Sequence, residues 1–263
     1  MATVRDRFWI WGQEANSHSM YALGGPSKMT AVEGAYYLGM RNCCRVVMAD
    51  KPRPPFDQDS MAMDSLDRVV WSVVGSGGST SNDDGWGDVD EVARQAQRHA
   101  NIEGAMLDDF LSENRRRLFP QDRMRAMRDR LRTGSGRPLD LWVVLYEHQL
   151  AEPVGPFLDE CDVITFWVWR SENLANLARD YARVQEMTPG KRHLMGVYLF
   201  DYGNNCPMPI GRLQAQCEQG LQWLREGTLD GMIFCSNCCA DLGFETVAWA
   251  RQWIAEVGDT RPG

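Results

Sequence analysis

Eight short apolar runs alternate with longer amphipathic stretches from one end of the 263-residue sequence to the other, and this alternation predicts an α/β protein folded as a single (β/α)8 TIM barrel over residues 1–263. Length agrees, since such a barrel takes roughly 250 residues. So does the character of the runs, which are apolar almost without interruption, as in strands covered on both faces. An open doubly wound sheet would carry a phosphate-binding glycine turn after its first strand, where this chain has Trp9-Ile10-Trp11-Gly12-Gln13-Glu14. No Pro/Ser-rich linker or break in composition divides the chain.

In order, the strands are expected at Arg7 to Gln13, Cys44 to Met48, Arg68 to Val74, Gly104 to Asp108, Leu139 to Tyr146, Val163 to Trp169, Leu194 to Phe200 and Gly231 to Cys235. Between them, Thr30-Ala31-Val32-Glu33 and Asp88-Val89-Asp90-Glu91 have the spacing of capping boxes. Ser171 suits the cap of a helix from Glu172 to Met187. Pro209 suits the start of the next, which ends near Arg225 ahead of Gly227. The last helix, Phe244 to Val257, puts Val247, Trp249, Ala250 and Ile254 on one stripe facing the sheet. The strand near Arg7 then pairs with that near Gly231 to close the barrel.

Composition narrows the function. With 36 acidic and 28 basic residues the net charge is -8, which gives no electrostatic source for binding nucleic acid or anionic lipid and favours a neutral or cationic ligand. No apolar run approaches the roughly 20 residues of a membrane helix, and Phe8 to Trp11 is too short for an export signal, so a cytoplasmic protein is expected. The eight cysteines, including Cys43-Cys44 and Cys235, Cys238 and Cys239, do not form the framework of a small disulfide scaffold. Cys235-x-x-Cys238 has no second pair or spaced histidines to complete a zinc site, and buried, inert thiols are expected.

Barrel enzymes concentrate function at the carboxyl ends of the strands. Here those ends carry carboxylates and aromatics: Trp11 and Glu14, Asp108 and Asp109, Tyr146 and Glu147, Trp167 and Trp169, Asp201 and Tyr202, then Ser236 and Asn237. A carboxylate directly after an apolar strand is costly to desolvate and needs partners. Capping a helix or pairing with an arginine would satisfy any one of them; Asp108, Asp109, Glu147 and Asp201 on one rim point instead to paired-carboxylate chemistry. Such a pair cleaves glycosidic bonds without metal or organic cofactor, one group protonating the leaving oxygen and the other stabilising or attacking the sugar carbon. Trp11, Trp167 and Trp169, with Tyr146 and Tyr202, would form an aromatic-lined cleft on which sugar rings stack, Glu14, Trp86 and Asn237 completing the substrate contacts. Trp142, Trp223, Trp249 and Trp253 are expected in the core.

These residues resemble TIM-barrel glycoside hydrolases at the level of the clan. Glu103-Gly104-Ala105-Met106-Leu107-Asp108-Asp109-Phe110 is similar to the fourth-strand segment of chitinase-like hydrolases, where a glycine is followed four residues later by an inward Asp. Those enzymes carry the catalytic Glu two residues after that Asp; here the position is Phe110, so the resemblance does not extend to chitinase chemistry. Asp108 or Asp109 against Asp201 is similar to the acid pair on the fourth and seventh strands of the large retaining clan, which generally uses Glu at both positions.

Two other readings fit the same residues. Glu14, Asp108, Glu147 and Asp201 are hard oxygen ligands suited to a divalent ion, as in a sugar isomerase or epimerase, although such sites usually recruit imidazole as well and only His18 and His148 lie near the expected rim. The aromatics alone would equally suit a carbohydrate-binding barrel without catalysis. Finally, Gly75 to Gly87 reads as a loop, either a lid presenting Trp86 or plain surface; Asp83 and Asp84 and the missing Gly-Lys-Ser/Thr ending argue against a phosphate cradle.

Overall fold

The computed structural model describes residues 2–75, 86 and 88–262. Its strands are β1 (Phe8–Gly12), β2 (Asn42–Arg45), β3 (Arg68–Val74), β4 (Ile102–Leu107), β5 (Asp140–Tyr146), β6 (Val163–Trp167), β7 (Arg192–Tyr198), β8 (Phe200–Asp201), β9 (Cys206–Pro207) and β10 (Gly231–Cys235). All but β8 and β9 are parallel and close into a barrel in the order β1-β10-β7-β6-β5-β4-β3-β2. Closure is the pairing expected from the sequence, with Phe8 opposite Met232 and Trp11 opposite Cys235. The helices are α1 (Ala31–Leu38), α2 (Asp57–Ala62), α3 (Val89–Ala96), α4 (Glu113–Leu118), α5 (Gln121–Thr133), α6 (Gly155–Leu158), α7 (Leu177–Met187), α8 (Ile210–Arg225), α9 (Asn237–Ala240) and α10 (Glu245–Val257). Among the described residues none is long and apolar enough to cross a membrane.

Strand alternation sorts the large side chains. On β1, Phe8 packs outward on Trp253 of α10, while Trp9 and Trp11 turn into the barrel. Inside, Trp9 meets Trp142 edge to face at 5.1 Å, and one layer up Trp11 meets Trp167 at 5.0 Å. Each partner indole lies against a glycine of an adjacent strand. A Cβ on Gly104 would come within 3.1 Å of Trp142 Nε1, and one on Gly196 within 2.0 Å of the Trp167 ring carbons. The barrel is thus filled by tryptophan rings wider than an ordinary layer of branched side chains, and glycines make the room.

Several boundaries differ from expectation. The second strand is Asn42–Arg45 rather than Cys44 to Met48; Asn42 at its start is buried, its Nδ2 donating to the carbonyls of Asp6 and Phe8. The seventh strand stops at Tyr198, and Phe200 instead pairs with Pro207 in the β8-β9 hairpin. The sixth stops at Trp167. Thr30 and Glu33 form the expected reciprocal cap of α1. At α3, Glu91 accepts from the Phe56 N–H and from Arg94 rather than closing a box with Asp88. Ser171 caps no α-helix: a 3-10 turn, Ser171–Asn176, precedes α7, and its N–H donates to Asp201. On α10 the buried indole is Trp253, with Trp249 half-buried and stacked on it.

Candidate functional site

A cavity of about 90 Å³ opens among the carboxyl ends of the strands. Trp11 of β1, Tyr146 of β5, Trp167 of β6, Tyr198 of β7 and Cys235 of β10 line it, joined by Asp108 and Asp109 directly after β4 and by Trp169 just beyond β6. Loop residues His18, Tyr21, Met48 and Tyr202 complete the lining.

The two carboxyls reach the same space through an unusual backbone. Side chains of consecutive residues in a strand alternate in direction. Asp108, nearly fully buried, still continues the ladder through its N–H to the Val74 carbonyl at 3.0 Å. Asp109 then takes φ 46°, in the left-handed region that non-glycine residues enter at a cost, and turns its carboxyl back into the cavity. Its Oδ1 accepts a 2.8 Å hydrogen bond from the Tyr146 phenol. Burial, then the neighbouring Tyr198 phenol and the two carboxylates, push the Tyr146 phenol well above its ordinary range, so it stays protonated and donates.

The aromatic wall is continuous. Tyr146 meets Trp169 at 82° between planes, Trp169 meets Tyr198 at 83°, Tyr198 meets Tyr202 at 69°, and Tyr202 meets Tyr21 at 71°. Trp167, with its Nε1 held by Thr165 Oγ1 at 2.9 Å, packs beneath Tyr198 and Trp11 as the floor rather than as an exposed platform.

Behind Tyr202 lies a polar chain whose connections the sequence does not show. The Gln13 amide nitrogen can only donate, so His18 Nε2, 2.7 Å away, accepts. His18 Nδ1 therefore bears the proton and donates to Tyr202 Oη at 2.9 Å, and the phenol lies 3.4 Å from Ser236 Oγ. Burial lowers the His18 pKa from 6.5 to about 3, so the ring is neutral at physiological pH. Between those values the unfolded chain binds a proton that the folded chain refuses; stability from this group is complete above 6.5 and falls as the pH drops. The slope is at most about 1.4 kcal/mol per pH unit. His18→Gln is expected to shrink the loss of stability between about pH 7 and about pH 4.5 in urea denaturation. An unchanged loss would show that His18 is not the group responsible.

Other residues expected at the site are engaged elsewhere, and the predicted convergence of four carboxylates is not formed. Glu14 pairs with buried Arg45 at 2.7 Å, which also holds Asp59. Glu147 Oε2 accepts the Trp169 N–H at 3.0 Å and Oε1 the Asn173 amide at 2.9 Å. Burial raises its pKa, but the His148 ring 3.8 Å away and these bonds outweigh it and hold the carboxyl below its usual value. Asp201 is fully buried, accepting from the N–H groups of Ser171 and Asn204 and from the Asn204 side chain. Asn237 staples α9 to the end of β1, accepting from the Gln13 N–H and donating to the Gln13 and Met29 carbonyls. Trp86 is 48% exposed and does not line the cavity. The rest of the expected lid, residues 76–85 and 87, lies outside the described residues.

All eight cysteines are thiols and only Cys206 is not buried. Burial pushes Cys239 up to about 12 and Cys235 well above its ordinary value, which keeps both protonated. Among the described residues no three His, Cys, Asp or Glu side chains come together as a metal site would require.

No protein-family model matches the sequence, and no curated protein does. Solved structures do. A proposed alpha-L-fucosidase from Bacteroides thetaiotaomicron is similar at TM-score 0.57 and 10% identity, over 86% of this chain and 87% of that one. Active domain 2 of a chitinase from Pyrococcus furiosus is similar at TM-score 0.56 and 9% identity, over 88% and 84%. Tryptophan synthase from M. tuberculosis is similar at TM-score 0.53 and 14% identity, over 96% and 92%. Identities this low speak for architecture alone: the chain has the (β/α)8 barrel of the TIM-barrel glycoside hydrolases, a fold they share with enzymes of other chemistry.

Proposed function

We propose that residues 1–263 form one domain that acts on a carbohydrate as a glycoside hydrolase, with Asp108 and Asp109 supplying the acid and base or nucleophile. The observation that carries this reading is the meeting of two carboxyls with a continuous aromatic wall in one cavity at the carboxyl end of the barrel. Sugar rings present apolar C–H faces to indoles and phenols, and their hydroxyls donate to carboxylates. Tyr146 fixes one oxygen of Asp109, leaving Oδ2 to meet a ligand. Glu147 and Asp201 act here as positioning residues: the first holds the Trp169 backbone, the second the turn that follows it.

Size refines the reading. About 90 Å³ is well below the 300 to 1,000 Å³ of pockets that enclose drug-sized ligands. The described walls therefore suit the end of a sugar rather than an enclosed oligosaccharide.

The test is a panel of aryl glycosides assayed with and without chelator, on wild type and Asp109→Asn. Hydrolysis that ignores the chelator and fails in the variant is the expected result. Chelator-sensitive isomerisation would favour the carboxylate-metal alternative, and saccharide binding without turnover would favour a non-catalytic barrel; either replaces the proposal.

A further inference from the structure

Building on the carbohydrate reading, we propose that the sugar this cavity takes carries a protonated amino group, held inside a box of aromatic rings with Asp109 as its counter-charge. The charge of the lining is one-sided. Two carboxylates face the space, and no Lys or Arg is among the described residues that line it. Arg115, which follows β4, donates to the backbone carbonyls of Gly75 and Asp108 and is not part of the lining. Asp109 forms no ion pair among the described residues, and its carboxylate is met there only by a phenol.

The one imidazole in the lining brings no positive charge, since burial keeps His18 neutral. His148, whose pKa is raised chiefly by Glu147 and also by Asp109, stacks on Tyr146 but does not line the cavity, so among the described lining residues no cation faces the carboxylate, a costly arrangement unless a ligand supplies the charge.

The rings favour the same ligand. Successive planes from Tyr146 through Trp169, Tyr198 and Tyr202 to Tyr21 stand between 69° and 83° to one another. Walls set that way enclose a small volume with π-systems on several sides, and ring faces attract ammonium groups most strongly where water is excluded. An amino sugar combines what the cavity offers: C–H faces for the rings, hydroxyls for the acceptors and an ammonium for Asp109. A uronic acid would be repelled by Asp109. N-acetylation would cancel the charge that Asp109 is placed to meet.

Titration calorimetry on wild type and Asp109→Asn, near neutral pH, tests this with D-glucosamine and D-galactosamine against D-glucose, D-galactose, N-acetyl-D-glucosamine and D-glucuronate, and with tetramethylammonium as a charge probe without a sugar. The amino sugars are expected to bind wild type about tenfold more tightly than their neutral counterparts, with most of that gap lost in Asp109→Asn and with tetramethylammonium competing. Neutral sugars that bind as well as amino sugars would overturn the inference and leave the carbohydrate reading standing. Tetramethylammonium binding with no sugar bound would overturn the inference and the carbohydrate reading together. Binding by neither the amino sugars nor tetramethylammonium overturns the inference outright.

Discussion

Gly196→Ala is expected to destabilise the protein by about 3 kcal/mol or more, at the upper end of what overpacking costs. The new Cβ would lie 2.0 Å from Cδ2 and Cε3 of Trp167, inside any allowed contact. Trp167 has nowhere to go, since Trp11 and Tyr198 hold its ring at 5.0 Å on either contact and its Nε1 is bonded to Thr165. β7 cannot withdraw easily either, because the Gly196 carbonyl accepts from buried Gln216 of α8 at 2.8 Å. For a chain of this size the expected fall in melting temperature is about 6 to 12 °C.

Shrinking the ring should relieve the conflict. Trp167→Leu alone leaves a void, yet combined with Gly196→Ala it is expected to cost less than the sum of the single changes, because each repairs part of what the other does. Additive losses, or a Gly196→Ala protein that melts with wild type, would mean that the barrel interior is looser than the contacts indicate.

How far the sequence was legible depends on whether a residue's position follows from its own segment. The eight barrel strands did, because continuous apolar runs mark strands covered on both faces. Where polar residues interrupt, the reading slipped. Asn42 is satisfied by carbonyls of another segment and Arg45 by Glu14 and Asp59, partners that local periodicity cannot show. At the site, Trp11, Tyr146 and Trp167 were readable as inward strand ends. Glu147 could have been excluded by the same rule, since it follows inward-facing Tyr146 and alternation turns it away. Asp109 breaks that rule only through its positive φ, which nothing in the sequence announces. Met48 was readable as the end of the second expected strand and His18 as lying near the rim, whereas Tyr21 sits on a loop whose approach to the cavity is decided by tertiary packing, so no spacing pattern pointed to it.

If the carboxylates following β4 carry the reaction, Asp109→Asn should lower turnover of a confirmed glycoside about 100-fold or more, with melting temperature little changed. The amide keeps the shape of the side chain and can still accept from Tyr146 through its oxygen, so the loss falls on charge and proton transfer rather than on packing. Asp108→Asn is expected to lower turnover comparably. Glu147→Gln and Asp201→Asn should behave differently. Their carboxylates accept backbone N–H groups of Trp169 and Ser171 and side-chain amides of Asn173 and Asn204, bonds strengthened by the negative charge. Neutralising either is expected to cost about 1 to 3 kcal/mol of stability and to raise KM through a displaced Trp169 or turn, while kcat stays within a few-fold of wild type. The decisive measurement is kcat and KM for all four variants on one substrate, alongside their melting temperatures. A collapse of kcat in Glu147→Gln or Asp201→Asn with Asp109→Asn fully active would move the chemistry out of the aromatic cavity and onto residues whose oxygens are already occupied by the protein's own donors.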